Sequence, residues 1–350
     1  MNRNILILIS AACIILAFIS SAQASKLPSN ADQKIDPALA EMLDRNLEEK
    51  IPVIVILKAN ANELISDDLT IRYRYRLIPG LAGEATAIAI KKIAESDQVS
   101  GIFFDGKTVV SSPDNNSSLQ KSISPEGYIT PAQIIKADKL WEKGIDGSGT
   151  TVAVIDSGID KNHPDLIGKV VAEKNFLADE ITADDLLGHG TMVAGIIAGS
   201  GAASNGRYKG IAPGAKLISV KVIDGKGDGK VSDIIAGIEW AVYNGADVLS
   251  LSLGGINLGE TNPPITMAAD NAASAGVVVC VAAGNRNSSE NGGQAAGTTS
   301  LQVDRSDTPV DLSQSGGDNK DVYYLLVPIV LALPPGLIDS PGDGVKVITV

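Results

Sequence analysis

Three short segments of this chain carry side chains suited to moving a proton or holding a developing charge. Val152 to Gly158 is an apolar run closed by Asp156, Ser157 and Gly158. A carboxylate placed directly after a buried strand is held rigidly and partly desolvated. Asp followed by Gly is equally ordinary turn chemistry, so this segment alone leaves both readings open. The second segment, Gly188 to Gly195, contains His189, one of only two histidines in the chain. Glycines on either side let backbone approach it closely, and imidazole is the side chain best matched to proton transfer near neutral pH. The other histidine, His163, stands in a His-Pro-Asp turn and reads as a loop residue. The third segment, Val279 to Asn285, ends in a side-chain amide. Such an amide at a strand end can donate a hydrogen bond to negative charge that develops during a reaction.

These groups must be brought together by the elements around them. From about Thr130 onward the pattern alternates strands and helices. Strands are expected over Thr151–Ile155, Lys216–Val222, Asp247–Leu253 and Val277–Ala282, with helices over Gly190–Gly199, Ser232–Asn244 and Pro264–Ala275. Ser232 is expected as the N-cap of its helix. Fully apolar strands between helices imply a parallel sheet covered on both faces, an α/β fold whose strand ends converge on one crevice. An earlier region reads differently. Strands are expected over Ile51–Leu57, Arg72–Ile78, Glu84–Ile90 and Val99–Phe104, with helices near Asn60–Leu69 and Lys91–Ser96. That order suits a small ferredoxin-like α+β unit.

Taken together, the three segments resemble the subtilase family of serine endopeptidases. The resemblance runs from about Ala137 to Asn285 and resumes over Ser340–Val350. It implies an α/β, parallel-sheet, three-layer subtilisin-like catalytic domain, in which Asp156 and His189 are catalytic and Asn285 is the oxyanion donor. Ser250 to Gly255 is similar to the family's substrate-binding edge, so Ser252, Leu253 and Gly254 would pair with extended peptide. Ala282, Ala283 and Gly284 would line the primary specificity pocket. The unit at about 35–110 resembles the family's propeptide, whose tail would lie in the cleft as an intramolecular inhibitor. Polypeptide substrates are the implied partners. Calcium is usual in the family. Asp165 aligns with a ligand position, but no ligand set is assignable, and Asp224–Asp228 reads better as a solvated turn than as a calcium loop.

The family's nucleophile lies in a Gly-Thr-Ser-Met-Ala run, and none occurs among the 350 residues. The expectation is an incomplete catalytic domain, inactive as written. The alternative is a non-catalytic, protease-like protein that binds peptides or partners. Residues 286–339 exceed what the family suggests between Asn285 and the next strand and read as an insertion.

The remaining expectations come from the chain as a whole. A net charge of −12 argues against nucleic-acid binding through a basic face. Residues 1–24 read as a signal peptide: Arg3, an apolar run from Ile5 to Ile19, then Ala22-Gln23-Ala24. A secreted, extracellular protein with no stable membrane span follows. The expected organisation is a signal peptide at 1–24, a propeptide at 25–110, a linker and mature start at 111–135, and the catalytic domain at 136–350. Of the two cysteines, Cys13 lies in the apolar leader and Cys280 reads as core filler.

Overall fold

The computed structural model describes residues 30–44, 48–59, 61, 67–110, 130–254, 263–282 and 348–349. The leading unit contains α1 (Pro37–Leu43), β1 (Lys50–Leu57), β2 (Leu69–Arg74), β3 (Gly80–Thr86), α2 (Ala87–Ala94) and β4 (Val99–Phe104). Its four strands lie in the order β2-β3-β1-β4, with β1 antiparallel to both β3 and β4. This is the strand order of a ferredoxin-like unit. Leu39, Val53, Val55, Ile90 and Ile102 build a core that belongs to this unit alone. The helix expected near Asn60–Leu69 falls largely outside the described residues.

One expected strand is half helix. Ala87 to Ile90 alternates in hydropathy but opens α2, because the Thr86 side chain accepts a hydrogen bond from the Ala89 amide and caps the helix. Ile90 and Ile93 point into the core while Ile88 stays exposed, the spacing of a helix rather than a strand.

After β5 (Lys107–Val110) come two short helices, α3 (Pro131–Ile134) and α4 (Ala137–Trp141), and then the larger unit. It contains β6 (Thr151–Asp156), β7 (Val170–Asn175), α5 (His189–Ala198), β8 (Lys216–Lys221) and β9 (Asp228–Lys230). It continues with α6 (Val231–Tyr243), β10 (Val248–Leu251), β11 (Leu253–Gly254), α7 (Pro264–Ser274), β12 (Val278–Val281) and β13 (Ile348–Thr349). Six strands form a parallel sheet in the order β13-β12-β10-β6-β8-β7.

The two-residue period of a strand divides this unit's interior in two. Val152, Val154 and Leu217 pack with Ala194 and Ala198 of α5 on one face. Ala153, Ile155, Ile218 and Val220 pack with Ile234, Ile238 and Ala268 of α6 and α7 on the other. Three layers result, and Asp156 closes the central strand β6. Leu251 and Leu253 are almost fully buried, and the strand expected over Asp247–Leu253 breaks at Ser252 into β10 and β11.

Candidate active site

His189 is the first residue of α5, and the local sequence dictates why. Gly188 adopts a left-handed conformation, with φ of 89°, which turns the chain into the helix. A Cβ on Gly190 would collide with the Gly158 carbonyl oxygen, so only glycine lets the two segments approach this closely. The His189 Nδ1 atom lies 2.8 Å from Asp156 Oδ1. A carboxylate only accepts, so Nδ1 carries the proton and Nε2 is left with the lone pair. The Asp156 side chain is 1% exposed and that of His189 is 9% exposed, which keeps the pair largely out of water. Asp156 Oδ1 also accepts the Ser157 amide at 2.7 Å. The arrangement can take a proton at Nε2 and stabilise the resulting imidazolium.

Two further residues, neither signalled by the motifs, brace this turn. Asp185 Oδ1 accepts the Ser157 hydroxyl at 2.8 Å, the Gly188 amide at 2.8 Å and the Leu187 amide at 3.0 Å. Its Oδ2 accepts the Thr191 amide at 2.8 Å and the Thr191 hydroxyl at 2.6 Å. Burial pushes the Asp185 carboxyl up, but the bonds from Thr191, Gly188 and Ser157 outweigh it and hold the group below the usual carboxylate range. Lys221, at the end of β8, is fully buried; its Nζ donates to the Ser157 carbonyl at 2.6 Å and pairs with Glu180 at 3.1 Å. An acidic residue four positions before His189, and a lysine ending an apolar strand, were the only traces of these roles in the sequence.

The expected peptide edge is occupied by the chain itself. β5 pairs antiparallel with β11, Leu253 opposite Val110 and Gly254 opposite Val109. On its other side β5 pairs antiparallel with β9, Thr108 opposite Gly229. Thr108 is 1% exposed and its hydroxyl has no hydrogen-bond partner, while Val109 is 49% exposed. Alternate residues of β5 therefore point into the larger unit and out to solvent, as in strand addition.

The seam between the units continues from β5. The Asp105 carboxylate accepts the Ser232 amide at 2.8 Å and the Ser232 hydroxyl at 2.6 Å. Ser232 thus does not cap α6. The helix begins at Val231 with no side-chain cap on Lys230, and the acceptor for its first turn comes from the other unit. Asp233 pairs with Arg72 at 2.9 Å and accepts the Tyr73 hydroxyl at 2.7 Å. Tyr75 donates to the Ser232 carbonyl at 3.0 Å, and Glu239 accepts the Leu77 amide at 2.6 Å. Burial raises the Asp105 carboxyl despite the Ser232 bonds, and raises that of Asp233 despite Tyr73 and Arg72. Burial likewise pushes the Tyr73 and Tyr75 hydroxyls up.

Of the residues expected at the site, the structure brings Asp156 and His189 into contact and places Ser252, Leu253 and Gly254 at the edge beside β5. Ala282 follows β12, its amide donating to the Leu251 carbonyl at 3.0 Å. Ala283, Gly284 and Asn285 lie outside the described residues. Among the described residues, Asp165 and Asp224 are engaged by backbone amides. Asp165 Oδ1 is taken by the Ala203 amide at 2.8 Å, and Asp224 Oδ1 accepts the amides of Lys226 and Asp228, closing a turn. Among the described residues, no three His, Cys, Asp or Glu side chains are grouped to hold a metal. His163 accepts the Asp165 amide and belongs to a loop. Burial raises the Cys280 thiol pKa, consistent with core filler. Among the described residues, no helix is long and apolar enough to cross a membrane.

A carboxylate–imidazole pair at the end of a central parallel strand, beside an edge already holding an extended segment, defines an α/β fold suited to acid–base chemistry on a peptide. Residues 147–306 match the model of the Subtilase family. Serine protease AprX of Bacillus subtilis (strain 168) is 46% identical over 149 residues, 40% of this chain and 34% of that protein. The major intracellular serine protease of the same organism is 43% identical over 166 residues, 46% of this chain and 49% of that one. Subtilisin E is 47% identical over 157 residues, 44% of this chain and 39% of its own. The crystal structure of fervidolysin from Fervidobacterium pennivorans, a keratinolytic enzyme related to subtilisin, covers 69% of this chain and 41% of its own at a TM-score of 0.51 and 25% identity. This chain is similar to the subtilase family over residues 147–306 of its 350. It spans between 34 and 49% of the length of these three curated relatives.

Proposed function

We propose that this chain is the precursor of a secreted subtilisin-like serine endopeptidase, with residues 25–110 as its inhibitory propeptide. His189 acts as base and then acid, Asp156 holds its tautomer, and a serine outside residues 1–350 attacks the peptide carbonyl. The observation that carries this reading is β5 seated between β9 and β11, an extended segment occupying the edge a substrate would use. Asn285 would supply the oxyanion donor, and Ala282 to Gly284 the pocket for the residue before the cut. Processing falls beyond Val110, because residues 107–109 pair with β9 and residues 109–110 with β11.

The test joins the coding sequence beyond Val350 to this chain and assays peptide hydrolysis with a serine-directed fluorophosphonate. Hydrolysis and labelling outside residues 1–350 support the reading; a stop codon after Val350 in the transcript favours the non-catalytic peptide-binding alternative. Residues 25–110 added to the completed enzyme are expected to inhibit it. Deleting residues 106–110 is expected to weaken that inhibition more than changes in α1 or α2. Equal inhibition by the shortened segment would remove the assignment of β5 as the inhibitory tail.

A further inference from the structure

The segment carrying Asp156 and the segment carrying His189 come from different parts of the chain, and one short hydrogen bond between two side chains does not by itself fix their separation. The surrounding bonds do. Ser157 Oγ donates to Asp185 and accepts the Gly190 amide at 2.9 Å. Thr191 Oγ1 donates to Asp185 and accepts the Asp160 amide at 2.9 Å. The residues that follow Asp156 and those that follow His189 are thus tied to each other twice, and both ties end on Asp185.

We propose that Asp185 is a positioning residue that holds His189 in the Nδ1–H tautomer against Asp156. This inference rests on the reading of His189 as the proton carrier. Five donors converge on two oxygens, and only a carboxylate presents acceptors to all of them. Its charge also faces the amino end of α5, where exposed amides favour an anion and where Gly188 supplies no side-chain cap. An amide at this position would turn an NH2 group toward amides that need acceptors, and the tie to Ser157 or to Thr191 would open. The imidazole would then be free to rotate and to adopt the Nε2–H form.

The experiment is nitrogen-15 NMR of the histidine side chains in the full chain, with His163 as the internal reference. Wild type is expected to show His189 almost wholly as the Nδ1–H tautomer, with a slowly exchanging Nδ1 proton. Asp185→Asn is expected to give a mixture of tautomers and roughly tenfold faster exchange, the factor that corresponds to losing one hydrogen bond. Ser157→Ala removes only the hydroxyl bridge and leaves the carboxylate. It is expected to give a smaller change in the same direction, and it serves if Asp185→Asn fails to fold. A tautomer and exchange rate unchanged in Ser157→Ala, or in a folded Asp185→Asn, would overturn the proposal and leave Asp185 a purely structural cap. Because no peptide is hydrolysed in this measurement, a chain without peptidase activity still decides it.

Discussion

Asp185 and Asp105 are both carboxylates serving the amino end of a helix, α5 in one case and α6 in the other. Asp185 takes five hydrogen bonds from its own unit and sits below the usual carboxylate range. Asp105 reaches α6 from the other unit, takes two bonds from Ser232, and is pushed up by burial. The first draws every one of these bonds from its own unit. The second is satisfied only while the units are together, and its charge is costly there. On the proposed reading, a site that persists and a contact that ends are told apart by how fully a buried carboxylate is hydrogen-bonded, more than by its depth.

The sharpest break of this comparison is at the persistent end. In the completed enzyme, His189→Ala is expected to lower kcat by about 10⁶-fold, the scale known for the equivalent loss in subtilisin itself, with little change in the seam. Single-turnover kinetics and propeptide affinity, measured together, check both halves.

At the dissolvable end, Asp105→Ala leaves the Ser232 amide and the start of α6 without an acceptor. It is expected to weaken association of the leading unit by about 1–2 kcal/mol, roughly five- to thirtyfold in Kd. The peptidase itself is expected to keep its kcat. An unchanged Kd would show that the Asp105–Ser232 bonds do not hold the two units together.

The same contact should respond to pH. Asp105 and Asp233 have raised pKa values in the joined state, through burial, with Arg72 and Lys230 opposing the shift and Tyr73 and Tyr75 beside them. A carboxyl whose pKa is higher in the complex binds more protons there. Association is therefore strongest below the released value of about 3.9 and weakens as pH rises through the raised values. Propeptide affinity measured from pH 4 to 8 should fall with rising pH, and less steeply in Asp105→Asn. A rising profile would contradict the assignment.

The smallest effect concerns Thr108. Its hydroxyl is buried without a partner, close to where a side chain on Gly229 would lie. Thr108→Val keeps the shape and removes the orphaned group. It is expected to tighten inhibition by several-fold, in keeping with about 1 kcal/mol for an unsatisfied buried polar group. Weaker inhibition would mean that the hydroxyl finds an acceptor in the complex.

Much of this was legible in the residues themselves. Asp156 and His189 stood out because glycines and apolar runs leave few other reasons for a carboxylate or an imidazole there. Four strands of the parallel sheet were visible because they are largely apolar on both faces, whereas the edge strand β7, which carries Glu173 and Lys174, was not. Asp185 was not visible, since one acidic residue in an acidic loop says nothing about how many donors will face it. Lys221 lies inside the strand expected over Lys216–Val222, and only the fold shows its ammonium buried between Ser157 and Glu180. Ser232 suited an N-cap by type, yet α6 starts one residue earlier and takes its acceptor from the other unit. Ala87 to Ile90 alternated as a strand would, until the Thr86 cap turned it into a helix. Strand β5 is too short to signal itself; its structure comes from the two edges beside it.

That last feature has a consequence in concentration rather than geometry. β5 is the middle strand of three, and it is covalently continuous with the unit it occupies. A strand so tethered competes for its slot at an effective concentration of the order of millimolar, however dilute the protein is. An outside peptide must exceed that level to displace it. Cutting the backbone beyond Val110 removes the tether, and the same strand then returns only at its bulk concentration. From that moment dilution itself opens the edge, so a protein released from a crowded compartment into a large volume would be unmasked by the volume alone.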